Sequence, residues 1–473
     1  MNNKYAKILG TSLMAAMPLC SYCEEKPNVV IIFIDDMGYA DIAPFGSTIH
    51  PTPNMQKLAD DGICHKEFYI SSTNSTPSRS ALMTGCYAST VGMGYRVVYP
   101  ADVRGLNTEE TILPEIFKSK GYVTGCFGKW HLSDNLDFMP IAHGFDEFEG
   151  LPYSADMWRG SSKGWPDLPY LIGEEVVASV RDKSSHTLIT ELTSNNAVDF
   201  INRHNDEPFF LYIPYPSLHN PRYVRKENVD KNNGDVFAAQ LEEIDNGVGD
   251  IIEALKEHGI YDNTLILLSS DNGGGNGTDM GELRGQKGGI GYEGRHRAST
   301  IVTYPKKIKA GTSSNEIISS IDIFPSFATL IGADTSVCKP LDGLDQLDVL
   351  LGDKRAKSQY DTLYLQHEGL FDCMRVGDMK LVKNKENYEL YNLKEDIGER
   401  NNLSSKYPDK VVQMKSSLIQ FRKRMTKKQR PCGFVATPKP LIPYGDEDLP
   451  TLYEYKNLPK YEAVTDTNKK VKK

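Results

Sequence analysis

Four short apolar runs recur along the chain, each rich in β-branched or aromatic residues and each closed by polar or turn residues: 29–34, 122–127, 209–214 and 264–268. A strand covered on both faces has no side to give to water, so it reads as an unbroken apolar run rather than an alternating one. Between these runs lie segments of helix length at 52–62, 109–121, 188–204 and 237–258. The alternation predicts an α/β protein in which a large mixed, mostly parallel sheet is sandwiched by helices. After about residue 355 the pattern changes. Three short strand-like pieces at 360–367, 373–383 and 388–393 precede a helix-like 410–427, which predicts a smaller C-terminal α+β subdomain carrying a short antiparallel sheet. The expected boundaries are a main domain over 24–355, a subdomain over 356–465 that turns rich in Pro and Tyr from Arg430, and a lysine-rich, disordered tail over 466–473.

Composition changes this picture little. The 473 residues are 39% hydrophobic and 25% charged, enough to bury a large core in two or more domains. The formal net charge of −9 offers no surplus to neutralise a phosphate backbone, so no nucleic-acid partner is expected. The first residues place Lys4 and Lys7 before an apolar stretch from Ile8 to Cys20, followed by Glu24-Glu25. That is the layout of a signal peptide over 1–23 and implies export, to a periplasm or the extracellular space. Lipidation at Cys20 or Cys23 is the weaker alternative, because Pro18-Leu19 and Ser21-Tyr22 fit the small-residue pattern of such processing only loosely. No later run holds eighteen uninterrupted apolar residues, so no transmembrane segment is expected. Cys64, Cys86, Cys126, Cys338, Cys373 and Cys432 show no paired zinc spacing, and spacing leaves any disulfide pairing open.

The apolar runs end in polar clusters: Asp35-Asp36, Lys129-Trp130-His131, His219 a few residues beyond its run, and Asp271-Asn272. In open α/β sheets the ligand crevice lies outside the carboxyl ends of the strands, so these clusters should converge. Two adjacent carboxylates need a cation or a hydrogen-bond network to stay ionised together. Asp35, Asp36, Asp271 and the amide oxygen of Asn272 form an oxygen-only set, which suits a hard cation such as Ca²⁺. Alone, Asp35-Asp36 reads equally as a solvated turn or a helix cap; the second pair at a second strand end shifts the balance. The segment 74–85 reads as a turn feeding a short helix, with Pro77 in the first turn and Gly85 closing it. Ser75 then sits at a helix N-terminus, where backbone N–H groups favour an anion, although by itself it reads as an ordinary capping serine.

Ser75-Thr76-Pro77-Ser78-Arg79 followed by Leu82-Met83-Thr84-Gly85 resembles the signature of the type I, formylglycine-dependent sulfatases of the alkaline-phosphatase-like superfamily. In that signature a Cys or Ser leads x-Pro-x-Arg, and Thr-Gly closes the helix. Asp35-Asp36-Met37-Gly38-Tyr39, Gly128-Lys129-Trp130-His131, His143-Gly144-Phe145-Asp146, Ser270-Asp271-Asn272-Gly273 and Leu283-Arg284-Gly285-Gln286-Lys287 resemble further blocks of the family in the same order. The likeness runs from about residue 26 to about 405. It implies that Ser75 is oxidised to formylglycine by a maturation enzyme, and that Asp35, Asp36, Ser75, Asp271 and Asn272 hold Ca²⁺. It further implies that Arg79 and His131 hold the activated nucleophile, that Lys129 and Lys287 neutralise the sulfate, and that His219 protonates the departing alcohol. Each residue alone has a plainer reading, a solvated lysine or a hydrogen-bonded histidine; order and spacing argue for them jointly.

Two departures matter. Serine in place of the commoner cysteine at position 75 implies either a serine-type bacterial maturation by a radical enzyme or a Cys→Ser replacement that cannot mature. Where the family often shows Gly-Gly-x-Arg-Val-Pro, this chain has Glu293-Gly294-Arg295-His296-Arg297-Ala298, so Arg295, His296 and Arg297 are left as candidates for substrate contact. A turn-rich stretch over 153–170 with Trp158 and Trp165 is expected near the crevice, its rings either stacking on sugar or packing internally. Together these readings predict a sulfatase acting on a sulfated glycan or oligosaccharide. The alternatives are a phosphoester or phosphonate hydrolase of the same superfamily, and a noncatalytic sulfated-glycan-binding protein if Ser75 stays unmodified.

Overall fold

The computed structural model of the protein describes residues 25–161 and 163–466; the expected signal peptide at 1–23 and the expected tail beyond Asp466 lie outside the described residues. The large sheet is built from β1 (Asn28–Ile34), β2 (Ile63–Tyr69), β3 (Val123–Lys129), β4 (Glu147–Leu151), β5 (Leu168–Ile172), β6 (Glu175–Val180), β7 (Phe209–Tyr215), β8 (Thr264–Ser270), β9 (Arg297–Thr303) and β10 (Thr312–Ser314). Their spatial order is β10-β2-β9-β8-β1-β7-β3-β4-β5-β6, with β11 (Ile318–Ser319) also pairing β2. The four strands expected from the apolar runs are its contiguous parallel centre, β8-β1-β7-β3. Antiparallel pairs flank them, β8 with β9 and β9 with β2 on one side, β4 with β5 and β5 with β6 on the other.

β1 shows why the centre reads as a continuous apolar run. Val29, Ile31 and Phe33 enter the core on one face of the sheet, while Val30, Ile32 and Ile34 enter the core on the other. Successive strand residues point to opposite faces, and here both faces are covered. The helices α1 (Pro53–Asp61), α3 (Ile189–Arg203) and α4 (Val236–Glu257) supply Leu58, Phe200 and Ile244 to one face. On the other, α2 (Ser75–Thr84) supplies Leu82 and Met83.

A second, antiparallel sheet runs in chain order through β12 (Leu363–His367), β13 (Leu370–Val376), β14 (Met379–Asn384) and β15 (Asn387–Asn392). The expected piece at 373–383 is in fact two strands, because Gly377 takes φ +56° and folds the chain back on itself. The helix α5 (Pro408–Thr426) lays Met414, Leu418 and Phe421 against this sheet, in a cluster that also contains Ala81 of α2. The smaller unit therefore shares a core with the helix that begins at Ser75. Beyond Arg430 the chain returns to the large domain: Gly433–Phe434 pairs with Arg104–Gly105, and Ala463–Thr465 pairs with Tyr223–Arg225.

Candidate active site

Sheet register brings the two acidic pairs together. Ile34 stands opposite Ser270 in the parallel β1–β8 ladder, so Asp35-Asp36 and Asp271-Asn272 leave the sheet side by side. One carboxylate oxygen from each of Asp35, Asp36 and Asp271 falls within 4.8 Å of the others, and among the described residues this is the one such group. The Asp36 N–H donates to Asp271 Oδ1 at 3.1 Å, and Asn272 Nδ2 donates to Asp36 Oδ1 at 2.7 Å. That second bond turns Asn272 Oδ1 toward Ser75. Asp36 itself has φ +62° and His131 φ +61°, a left-handed conformation that costs a non-glycine residue and is held where surrounding structure dictates it.

Ser75 is the first residue of α2, after Asn74 at the cap, and Gly85 closes the helix in the left-handed conformation with its N–H on Ala81 O. Its Oγ lies 3.2 Å from Asp35 Oδ1, 3.4 Å from Asn272 Oδ1 and 3.5 Å from Lys129 Nζ. Helix tip and acidic strand ends thus meet at one buried point.

Three cations face the three carboxylates. Lys129 Nζ pairs with Asp35 and donates to Ser154 Oγ at 3.2 Å. Lys287 Nζ is 2.6 Å from Asp36 and 3.9 Å from Asp35. Arg79 Nη2 is 2.9 Å from Asp271 and 3.8 Å from Asp35, and its Nη1 donates to Lys129 O at 3.2 Å and toward Tyr212 Oη at 3.4 Å. Burial pushes the Asp35 carboxyl up, but Lys129 and then Lys287 outweigh it and hold it below its ordinary range. Burial likewise opposes Asp36, and Lys287 and His219 bring it down. For Lys287 burial pulls the ammonium down, while Asp36 and Asp35 raise it above its usual value. Asp35, Asp36 and Lys287 are therefore held in their charged forms, whereas burial pulls the Lys129 ammonium below its ordinary range against the opposing pull of Asp35.

His131 is placed differently from the lysines. Its Nε2 lies 3.1 Å from Val98 O, its Nδ1 is buried without a hydrogen-bond partner, and Thr76 Oγ1 donates to its carbonyl at 2.8 Å. A bond to a carbonyl requires Nε2 to carry the proton, which leaves a lone pair on Nδ1. Burial, then the nearby Lys129 and Arg79, hold the imidazole well below its ordinary pKa and so neutral. His219 stands between two carboxylates, Nε2 3.8 Å from Asp36 and Nδ1 3.9 Å from Asp156.

Ser154 and Asp156 went unnoticed in the sequence, although they follow the end of β4 at the same edge of the sheet; their signal was position after a strand rather than motif. The 153–170 stretch is less of a free loop than expected. Trp158 is buried, its Nε1 3.3 Å from Tyr223 Oη, and Trp165 stacks on Tyr99 with ring centroids 5.5 Å apart, so internal packing claims both rings. Of the three uncertain residues, His296 is buried with Nδ1 2.9 Å from Ile70 O, and Arg297 donates to Lys66 O at 2.6 Å and pairs with Glu293 at 3.4 Å. Arg297 is thus spent inside the sheet edge, and His296 is buried there with its Nε2 unpartnered among the described residues.

An α/β sheet with helices on both faces, a carboxylate cluster at its strand ends and a helix tip beside that cluster make up an alkaline-phosphatase-like fold. The Sulfatase family model matches residues 27–333, and a model described as N-sulphoglucosamine sulphohydrolase, C-terminal, matches residues 289–428. The chain belongs to the sulfatase family. It is 31% identical over 404 residues to arylsulfatase A of Homo sapiens, covering 78% of this chain and 77% of that protein. It is 30% identical over 350 residues to N-acetylgalactosamine-6-sulfatase of Canis lupus familiaris, covering 69% of this chain and 66% of that protein. The solved structure of Ps i-CgsB in complex with k-i-k-neocarrahexaose superposes with a TM-score of 0.75 at 28% identity, covering 87% of this chain and 95% of that one.

Proposed function

We propose that this protein is a sulfuric ester hydrolase acting on a sulfated glycan, with position 75 as its nucleophile. The observation that carries the reading is the meeting of Ser75 Oγ with Asp35 Oδ1, Asn272 Oδ1 and Lys129 Nζ at a helix tip. An all-oxygen donor set of three carboxylates and one amide fits Ca²⁺. Arg79, Lys129 and Lys287 face the carboxylates, and a divalent ion held among them would add positive charge to the cavity for an anionic ester. Held by Asp35, Asp36, Asp271 and Asn272, Ca²⁺ would polarise a sulfate oxygen and favour the ionised nucleophile.

Oxidation of Ser75 to formylglycine by a maturation enzyme, followed by hydration, would give one hydroxyl to attack sulfur and a second whose deprotonation expels sulfate. The chain's own groups then divide the work. Lys129 and Lys287 face the charge that grows on the sulfuryl oxygens. The free lone pair of His131 Nδ1 accepts a hydroxyl proton, and its low basicity keeps that lone pair available. His219 delivers a proton to the departing alcohol oxygen. Arg79, paired with Asp271 and near Asp35, braces the carboxylates that hold the nucleophile's surroundings in place.

The glycan substrate is supported by a relative named for an N-acetylgalactosamine 6-sulfatase activity and by a structural neighbour holding a neocarrahexaose. The export layout at 1–23 agrees with a substrate met outside the cell. Among the described residues no helix is long and apolar enough to cross a membrane. Mass spectrometry of the peptide containing position 75 tests the central claim: oxidation to the aldehyde makes it about two mass units lighter than serine requires. A peptide found only at the serine mass, in protein that binds sulfated glycans without hydrolysing them, would make the chain a noncatalytic reader instead.

A further inference from the structure

The segment after residue 428 lies beyond both family-model matches, which end at 333 and 428, yet its last described residues reach the loop that carries His219. Ala463–Thr465 adds a strand to Tyr223–Arg225, and the Lys226 N–H donates to Glu462 O at 2.8 Å. The guanidinium of Arg225 also sits over the Tyr461 ring, 3.8 Å from its centroid. This pairing delivers the Asp466 carboxylate to the far end of the same loop. Asp466 Oδ1 accepts from the Arg222 N–H at 2.8 Å, Oδ2 accepts from Asn220 Nδ2 at 3.1 Å, and Oδ2 pairs with Arg222 Nη1. Arg222 is itself buried and donates from Nη2 to Asn276 O at 3.1 Å. That carbonyl belongs to the loop that follows Asp271 and Asn272. One carboxylate thus binds the residue next to His219 and, through Arg222, ties the His219 loop to the loop of the proposed cation ligands.

Among the described residues His219 has no comparable anchor of its own, since its nearest charged neighbours stand at 3.8 and 3.9 Å. A proton donor must hold hydrogen-bonding distance to the departing oxygen, and small misplacement of a loop weakens it sharply. We propose that Asp466 is a positioning residue for His219: the C-terminal strap clasps Asn220 and Arg222 and so fixes the imidazole where it protonates the leaving alcohol. This rests on His219 being that donor.

A series of aryl sulfates whose phenols differ in acidity tests the two claims separately in the full chain. Good leaving groups need no proton and poor ones do, so loss of the donor steepens the dependence of kcat/KM on phenol pKa, whereas general damage lowers every rate by one factor. His219→Ala is expected to steepen that slope. Asp466→Ala and the milder Asp466→Asn are expected to steepen it partway, with a loss of about tenfold on the least acidic phenols and little on the most acidic. A slope unchanged in His219→Ala refutes the assignment of the donor. A steepened slope in His219→Ala beside an unchanged slope in both Asp466 variants, whether or not their overall rates fall, overturns the clasp. Asp466 is partly exposed but its partner Arg222 is buried, so Asp466→Ala is expected to lower the thermal midpoint and Asp466→Asn to lower it less, a loss that the slope, unlike the overall rate, does not read.

Discussion

Lys380 offers the sharpest test of how the two sheets are joined. It is the second residue of β14 and has no exposed surface, and its Nζ is 2.8 Å from Glu293 Oε1 and 2.9 Å from Glu399 Oε1. Glu293 precedes β9 of the large sheet and also accepts from Tyr69 Oη at 2.7 Å, while Glu399 Oε2 accepts the Glu293 N–H at 2.7 Å. Burial pulls the ammonium down, but Glu293 and then Glu399 hold it charged. Replacing Lys380 with Met keeps most of the stem and leaves two buried carboxylates facing each other. Breaking a buried pair in this way costs about 3–5 kcal/mol. Glu293 retains Arg297 at 3.4 Å and suffers less; Glu399 loses its cation and carries most of the loss, which places the expected value near the lower figure, about 3 kcal/mol. Burial already raises the Glu399 carboxyl in the parent against the pull of Lys380; without Lys380 it rises further, and the variant relieves the repulsion by protonating it. Its folded form then takes up a proton at higher pH than the unfolded chain does, so its stability falls as pH rises through that window. Urea unfolding followed by fluorescence should therefore show a gap between parent and Lys380→Met that is widest near pH 8 and narrower near pH 5. A gap under about 1 kcal/mol at pH 8, or one that does not narrow on acidification, would refute this account of the junction.

Two further outcomes follow from the active site. Lys287→Ala removes an ammonium 2.6 Å from Asp36 on a partly exposed loop, and kcat on any substrate should fall by about 10²–10³; near-full turnover would exclude the role given to it. Protein stripped with EGTA should gain thermal stability on adding Ca²⁺, by about 2.7 kcal/mol at one hundred times the dissociation constant. A midpoint indifferent to Ca²⁺ at millimolar concentrations would mean that the carboxylate cluster is balanced by its lysines and arginine alone.

Much of this was legible in the amino-acid order because the parallel centre of the sheet is buried on both faces. Such strands write themselves as unbroken apolar runs, and the polar residues that end them, Asp35-Asp36, Lys129 and Asp271-Asn272, mark the crevice by position alone. The motif around Ser75 added the chemistry. The flanking strands were invisible for the opposite reason: β2 carries His65, Lys66 and Glu67, and β9 begins at Arg297, so neither is a clean run nor a clean alternation, and only pairing to neighbours makes them strands. Register is also a tertiary fact. Nothing local says that Ile34 faces Ser270, yet that alignment alone sets Asp36 3.1 Å from Asp271 through its N–H. Tertiary packing likewise decided that Trp158 and Arg297 turn inward, that Ser154 and Asp156 join the site, and that Asp466 crosses 244 positions of chain to reach Arg222. A sequence records which residues can be buried or charged; which partner each one finds is settled by contacts between segments far apart in the chain.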